Sequence, residues 1–214
     1  MKKTLLLVTC IEIFSLTAAA QIKKGAVLLG GNISINQTKY TSNNTQTVSG
    51  FNFNTTVGQF IRQNMAVGVR LGYGHSKLEN NYNGNTYFNE KTDRYSGGIF
   101  VRKYKKLAKD FYFFGDIGAG YFGSKQTDVE IATNITTRRC VNGIDLDITP
   151  GISYRIYKKL QVELLVPGVV NLQYSADKIT TVGTVSTIKN FSISSSLTPS
   201  SVLNSVSLGF SFIL

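Results

Sequence analysis

Three observations predict an all-β fold: an eight-stranded antiparallel up-and-down transmembrane β-barrel with short periplasmic turns and long extracellular loops. Apolar and polar residues alternate with a period of two along most of the 214-residue chain. The connections between the alternating segments run by turns long and short. The apolar side of the alternation is almost free of charge. Period two marks a strand with two different faces. An even strand number with one set of short connections places both termini on the same side, as outer-membrane barrels require.

The N-terminus is read first. Lys2 and Lys3 precede an apolar run from Leu5 to Leu16, and Ala18-Ala19-Ala20 offers small residues to a signal peptidase. Residues 1–20 are therefore expected to be a cleaved secretory signal, with the cut before Gln21, and 21–214 to form one barrel domain. A membrane helix would need about 20 clean apolar residues; this run is shorter and Glu12 interrupts it. Thr9 is a poor neighbour for a lipidated Cys10. Past the signal only Cys140 remains, so no internal disulfide is expected.

The strands follow in order. The first carries Val27, Leu29, Ile33 and Ile35 against Gly30, Asn32, Ser34 and Asn36. Residues 50–61 set Phe51, Phe53, Thr55 and Val57 against Asn52, Asn54, Thr56 and Gly58. Residues 65–75 set Val67, Val69, Leu71 and Tyr73 against Gly68, Arg70, Gly72 and Gly74. Residues 93–103 set Tyr95, Ile99 and Val101 against Ser96, Gly98 and Arg102. Residues 111–122 set Phe113, Ile117, Ala119 and Tyr121 against Asp116, Gly118 and Gly120. Residues 143–154 set Ile144, Leu146, Ile148, Ile152 and Tyr154 against Asp145, Asp147, Thr149, Gly151 and Ser153. Residues 160–172 set Val162, Leu164, Val166, Val170 and Leu172 against Gln161 and Glu163. The last sets Val206, Leu208, Phe210, Phe212 and Leu214 against Ser205, Ser207, Gly209 and Ser211. A tilted strand of roughly 9–11 residues crosses a bilayer, and these eight fit that length.

The connections are 37–49, 62–64, 76–92, 104–110, 123–142, 155–159 and 173–202. The short ones are basic, with Arg62, then Lys105, Lys106 and Lys109, then Arg155, Lys158 and Lys159. The long ones are rich in Asn, Thr, Ser and Gly. The last is expected to hold a strand extension near Phe191 and Ile193.

Alternation alone also fits a soluble barrel with its apolar face inside. The polar face argues against this. It is built of Gly, Ser and Asn, which suit the cramped interior of eight strands, rather than the Lys and Glu of a wetted surface. Phe60, Tyr73, Tyr95, Phe111, Tyr112, Tyr121 and Tyr154 lie near strand ends and are expected to form interfacial girdles. The chain has no Trp.

The stretches Gly25–Gly31, Val57–Gly68, Phe100–Tyr104 and Leu208–Phe212, in this order and spacing, resemble the small outer-membrane β-barrel proteins of the porin-family or OmpA-like barrel type. The resemblance spans the whole mature chain. It implies an integral outer-membrane location and a C-terminal assembly signal, here Phe210, Phe212 and Leu214, read by the barrel-assembly machinery. The family usually ends on an aromatic residue, whereas this chain ends on Leu214 with Phe212 two before it. No peptidoglycan-binding domain of the longer OmpA-like proteins is expected after the last strand.

Chemistry is sparser. Arg70, Arg102, Asp116, Asp145, Asp147 and Glu163 all have inward parity. Buried charges must be paired and hydrogen-bonded, so these are expected to form a lumen charge network. Two readings stay open: a plug of ion pairs, or a narrow, gated path for ions or small solutes. His75, the one histidine, adjoins Ser76. A lipid-modifying enzyme would need these two to meet, yet neighbouring strand residues point to opposite faces. No catalytic residue is expected. One histidine and one mature cysteine leave no soft metal-ligand cluster, and no cofactor is expected. Glu79, Glu90 and Asp93 suit calcium or simply a solvated loop. The +11 net charge would suggest nucleic acid in a cytosolic protein. An exported one meets anionic lipid instead, and Arg138, Arg139, Lys125, Lys77 and Lys91 are candidates to face lipopolysaccharide. A monomer is expected.

Overall fold

The structure is a computed structural model that describes residues 22–41, 44–82, 85–131, 133, 135–195 and 206–214. The expected signal peptide and its cleavage site fall on residues 1–21 and lie outside the described residues. The described residues contain no helix. Among the described residues there are ten strand segments: β1 (Val27–Thr41), β2 (Asn44–Arg62), β3 (Met65–Tyr82), β4 (Asn85–Lys106), β5 (Phe111–Glu130), β6 (Ile135–Tyr157), β7 (Leu160–Leu165), β8 (Val170–Thr181), β9 (Thr184–Ser195) and β10 (Ser207–Ile213).

Eight of them close a ring. Each of β1 to β6 pairs antiparallel with the next, β6 pairs with β7, β7 with β10, and β10 with β1. Closure removes the free backbone edge where β1 meets β10, while β1 beyond Gly31 pairs only with β2 among the described residues. The stagger of the ring can be read from the register. One way round from Gly31, successive partners are Thr55, Leu71, Gly97, Tyr121 and Ile144. The other way they are Phe210, Val162 and Tyr154. Ile144 and Tyr154 both lie on β6, ten residues apart. A closed sheet needs such a shear because its strands tilt against the barrel axis.

Four expectations are corrected. First, the strands are longer than the alternation suggests, 18 to 23 residues for β3 to β6. Most of 37–49, 76–92 and 123–142 is strand rather than loop, because backbone pairing continues where the apolar alternation stops. Second, 160–172 is two strands. Opposite Thr149 and Pro150 of β6, the chain inserts Val166-Pro167-Gly168-Val169 between β7 and β8. Pro167 cannot donate to a ladder, and Gly168 takes a φ of +61° that glycine adopts freely. Third, 173–202 is largely a hairpin, β8 paired with β9 from Val170↔Ser195 to Thr181↔Thr184. Its two-residue turn has positive φ at Val182 (45°) and Gly183 (81°), as a type I′ turn demands. Fourth, β4 continues to Lys106, so Tyr104 and Lys105 belong to the wall rather than to a turn.

The apolar side of the alternation faces outward. Ile99 and Ile117 are each 64% exposed, as are Leu71 at 59% and Ile144 at 60%. Facing inward at the short-turn end is a compact core of Leu28, Phe60, Ala66, Phe100, Tyr104, Tyr112 and Phe114. Ile22 closes it from below: its N–H donates to Asn64 Oδ1 (2.8 Å) and its carbonyl accepts from Asn64 N–H (3.1 Å). Phe60 and Tyr112, expected in the outer girdle, are therefore interior, at 1% and 0% exposure. They sit one position off the outward neighbours Ile61, Phe111 and Phe113, and single-residue parity decides the face. The outward aromatics remain in two groups. Phe111 and Tyr154 stack at 4.5 Å near the short turns. Tyr73, Tyr95 and Tyr121 lie toward the long hairpins.

Candidate functional site: the charged interior of the barrel

The interior is built in tiers. At the short-turn end, Tyr112, Phe60, Tyr104 and Phe114 form an aromatic floor, with Tyr104 set 5.7 Å from Phe60 and 5.5 Å from Phe114. Glycines make room for the rings: a methyl on Gly151 would lie 2.8 Å from both Phe114 Cε1 and the Leu164 carbonyl oxygen.

Arg102 lies on this floor, its guanidinium carbon 4.2 Å from the Phe114 ring centre. Its Nε and Nη2 donate to Asp116 at 2.6 and 2.8 Å, a bidentate fork. Its Nη1 donates to both oxygens of Glu163 at 2.9 and 3.0 Å. Ser211 Oγ donates to Glu163 at 2.6 Å, which draws closing strand β10 into the same knot. Arg102, Asp116 and Glu163 are 4–5% exposed. One cation thus faces two carboxylates out of water, held by five charge-assisted bonds from four strands.

Arg70 forms the next tier. Its two terminal nitrogens engage the two oxygens of Asp147, one at 3.2 Å. Thr149 Oγ1 donates to Asp147 at 3.1 Å and accepts from Gly168 N–H at 3.3 Å. The inserted Pro167-Gly168 corner is thereby tied into the lumen. A methyl on Gly118 would overlap Arg70 Nη2, so the guanidinium would have to move to admit one. Asp145, two residues from Asp147 on the same face, forms no ion pair among the described residues and is half-buried.

Above the knot the lumen opens. A cavity of about 220 Å³ is lined by Asn32, Asn54, Thr56, Arg70, Ser96 and Thr149, with Arg102, Asp116 and Glu163 at its base. A second of about 360 Å³ reaches Asp145, Asp147 and Asn171. The well is wide enough for water and stands directly above the Arg102 knot. Higher still, Arg94 donates to Ser76 Oγ at 3.2 Å, and Arg139 Nε to Asp177 at 2.7 Å.

Five of the six expected lumen charges fall into two separate ion-pair groups, and Asp145 is in neither. Tyr104, Ser211, Thr149 and Gly168 also belong to the network. The spacing of the connections puts Tyr104 in a turn, though its parity continues from Arg102. Gly168 carries no pattern at all.

On the outer surface, above the apolar belt, His75 Nδ1 lies 2.8 Å from Asp93 Oδ1, which also accepts from Tyr73 OH at 3.0 Å. Hydrogen bonds from His75 and then Tyr73 hold the Asp93 carboxyl below its ordinary range. Ser76 points the other way, to Arg94, so His75 and Ser76 do not meet. Cys140 is a half-exposed free thiol. Lys77 pairs with Glu79, and Arg139 with Asp177. Phe210, Phe212 and Leu214 point outward on and just beyond β10, each about half exposed. Among the described residues no group of three or more His, Cys, Asp or Glu side chains could hold a metal ion.

No protein-family model matches the chain. No curated protein matches it either. Solved structures with a similar course of chain include the translocator domain of the autotransporter NalP from Neisseria meningitidis. It is 13% identical, with a TM-score of 0.46 over 90% of this chain, which spans 65% of that domain. A major outer membrane protein from Thermus thermophilus is 13% identical, with a TM-score of 0.49 over 88% of this chain and 100% of that one. Ail, the attachment invasion locus protein of Yersinia pestis, is 10% identical, with a TM-score of 0.38 over 90% and 99%. No residue role is carried over from them.

Proposed function

We propose that the chain is a monomeric, non-enzymatic integral outer-membrane barrel with a closed lumen, whose outward-reaching strands present a surface to the exterior. The observation that carries the closed lumen is the Arg102 knot. Its donors and acceptors are nearly all engaged, and it sits on an aromatic floor directly beneath the well. The apolar outward face supports the membrane setting, because a ring of exposed Ile, Leu and Val has no other solvent that would favour it. The short, basic turns then lie in the periplasm. Export by the N-terminal signal, insertion by the barrel-assembly machinery through Phe210, Phe212 and Leu214, and contact with outer-membrane lipid and lipopolysaccharide belong to this reading. It includes no nucleic-acid partner.

The polar well supports one competitor, a narrow porin-like channel for ions or small solutes, which would require the knot to open. A lipid-modifying role has less support, since Ser76 and His75 hold different partners. Conductance in planar bilayers separates plug from channel: the purified protein is expected to give no steady open state. Steady single-channel events from the wild-type protein would overturn the closed lumen. Heat-modifiability of outer-membrane fractions on a denaturing gel tests the setting itself, with a mobility shift on boiling expected.

A further inference from the structure

The outer wall carries a concavity that neither the lumen nor the interior network uses. It measures about 480 Å³ and is lined by the side chains of Val67, Val69, Ile99, Val101, Ile117, Ala119 and Leu146, with backbone at Gly68 and Gly118 between them. The cause is local. Outward-facing Ala119 on β5 stands between Ile99 of β4 and Leu146 of β6 in the paired register. Two positions nearer the short turns than Ile117, Gly115 adds no side chain, and a methyl there would meet nothing within 4 Å. The floor of the furrow is therefore short side chains and backbone, and its walls are branched aliphatics.

The lining ends at Val67, Val101 and Ile117, and the next row toward the short turns is charged. The row just below Val67 and Val101 pairs Met65 with Lys103, and Lys103 with Gly115. Arg62 pairs with Met65 across the turn. Arg62 and Lys103 are exposed, and neither has an ion-pair partner among the described residues. An apolar furrow running toward two free cations is complementary to one amphiphile: an acyl chain joined to an anionic headgroup.

We propose that this furrow binds an anionic phospholipid of the periplasmic leaflet, its acyl chain lying along Ala119 and its phosphate at Lys103 and Arg62. The proposal rests on the membrane reading above and on its orientation. That orientation excludes lipopolysaccharide, because the cations stand at the short-turn end rather than the long-hairpin end. Exposed cations at a membrane surface attract anionic lipid by roughly 1 kcal/mol each, about a five-fold preference per residue.

The test uses the full-length mature chain in phosphatidylethanolamine nanodiscs carrying trace spin-labelled phosphatidylglycerol or spin-labelled phosphatidylcholine. Electron spin resonance reads the immobilised fraction of each. Phosphatidylglycerol is expected to be immobilised several-fold in preference to phosphatidylcholine. The preference should disappear in the Arg62→Gln/Lys103→Gln double variant. Ala119→Phe, which fills the furrow, should lower the immobilised fraction of both lipids while leaving the barrel intact. Equal immobilisation of the two lipids by the wild-type protein would overturn the site, as would a preference that survives the double variant. The heat shift of the same samples reports insertion separately. If it is absent, the membrane reading falls; if it is present with equal immobilisation, only the lipid site falls.

Discussion

The lower barrel and the hairpins above it share one backbone and differ in what their side chains meet. β5 and β6 pair without a register break over 20 positions, from Phe111↔Tyr154 to Glu130↔Ile135. Near the lower end the outward pairs are Phe113↔Ile152 and Ile117↔Ile148, and the inward pair Asp116↔Thr149 is buried. Near the upper end Thr127 pairs with Arg138 and Gln126 with Arg139, so both faces are polar. The hydrogen-bond ladder makes each a strand. Only the lower part has a face that water disfavours outside and a filled core within. Pairing and burial are thus separable, and each should respond to its own substitutions.

The largest difference is expected inside. Arg102→Ala strands the buried Asp116 and Glu163 carboxylates, a loss of about 3–5 kcal/mol. Lys77→Ala removes one partner of the partly exposed Lys77–Glu79 pair in the upper region and should cost less than about 1 kcal/mol. Urea titration of the refolded protein in lipid measures both, and equal losses would mean that the knot is not what holds the lower barrel. The outer face should follow. Ile99→Arg is expected to cost about 2–4 kcal/mol at the middle of the apolar belt, whereas Thr127→Arg in the extension should be silent. If Ile99→Arg proved harmless in the same titration, the belt would not lie in lipid.

Two smaller effects sharpen the upper region. Val182→Asn supplies a residue that tolerates the positive φ of the β8–β9 turn and should stabilise that hairpin by about 1 kcal/mol. Slower amide exchange across β8 and β9 would be the sign. Asp93, held below its ordinary range, contributes stability that is present above the unfolded carboxyl pKa of about 3.9. That contribution is lost as pH falls through the lower folded value. Asp93→Asn should therefore lower the temperature of the gel shift at neutral pH and leave it unchanged in strong acid. A difference that persisted in acid would assign the effect to something other than the ionised carboxylate.

The sequence reveals the lower barrel well because the apolar belt writes its periodicity directly into the chain. Residues such as Val67, Val69 and Leu71 alternate with Gly68, Arg70 and Gly72, and the wall follows. The extensions are hidden because Asn, Thr and Lys on both faces leave no contrast for a period to show. The break at Pro167-Gly168 is hidden by the continuous apolar run around it, from Leu164 to Val170 with only those two residues interrupting. Parity alone places the charges inside, but it cannot pair them. That Arg102 takes both Asp116 and Glu163 while Arg70 takes Asp147 depends on the shear of the ring, which brings residues far apart in sequence to one level. Phe60 and Tyr112 show the opposite failure: an aromatic near a strand end suggests an interface, and one step of parity turns it into core.

The seam between β1 and β10 sets the timing of assembly. Residues 28–31 meet residues 210–213 in only four register pairs, while the chain between them forms every other strand of the ring. This contact spans the greatest sequence separation in the ring, and loop closure over such a distance is the slowest kind of pairing to establish. Until it forms, β1 and the growing end of the sheet each expose a row of unpaired amides. In water such edges recruit other chains, and in hydrocarbon each unpaired group costs several kcal/mol. A half-built sheet therefore has no comfortable solvent. The fold is strongly driven toward one concerted event, in which the last strand docks as the wall enters lipid.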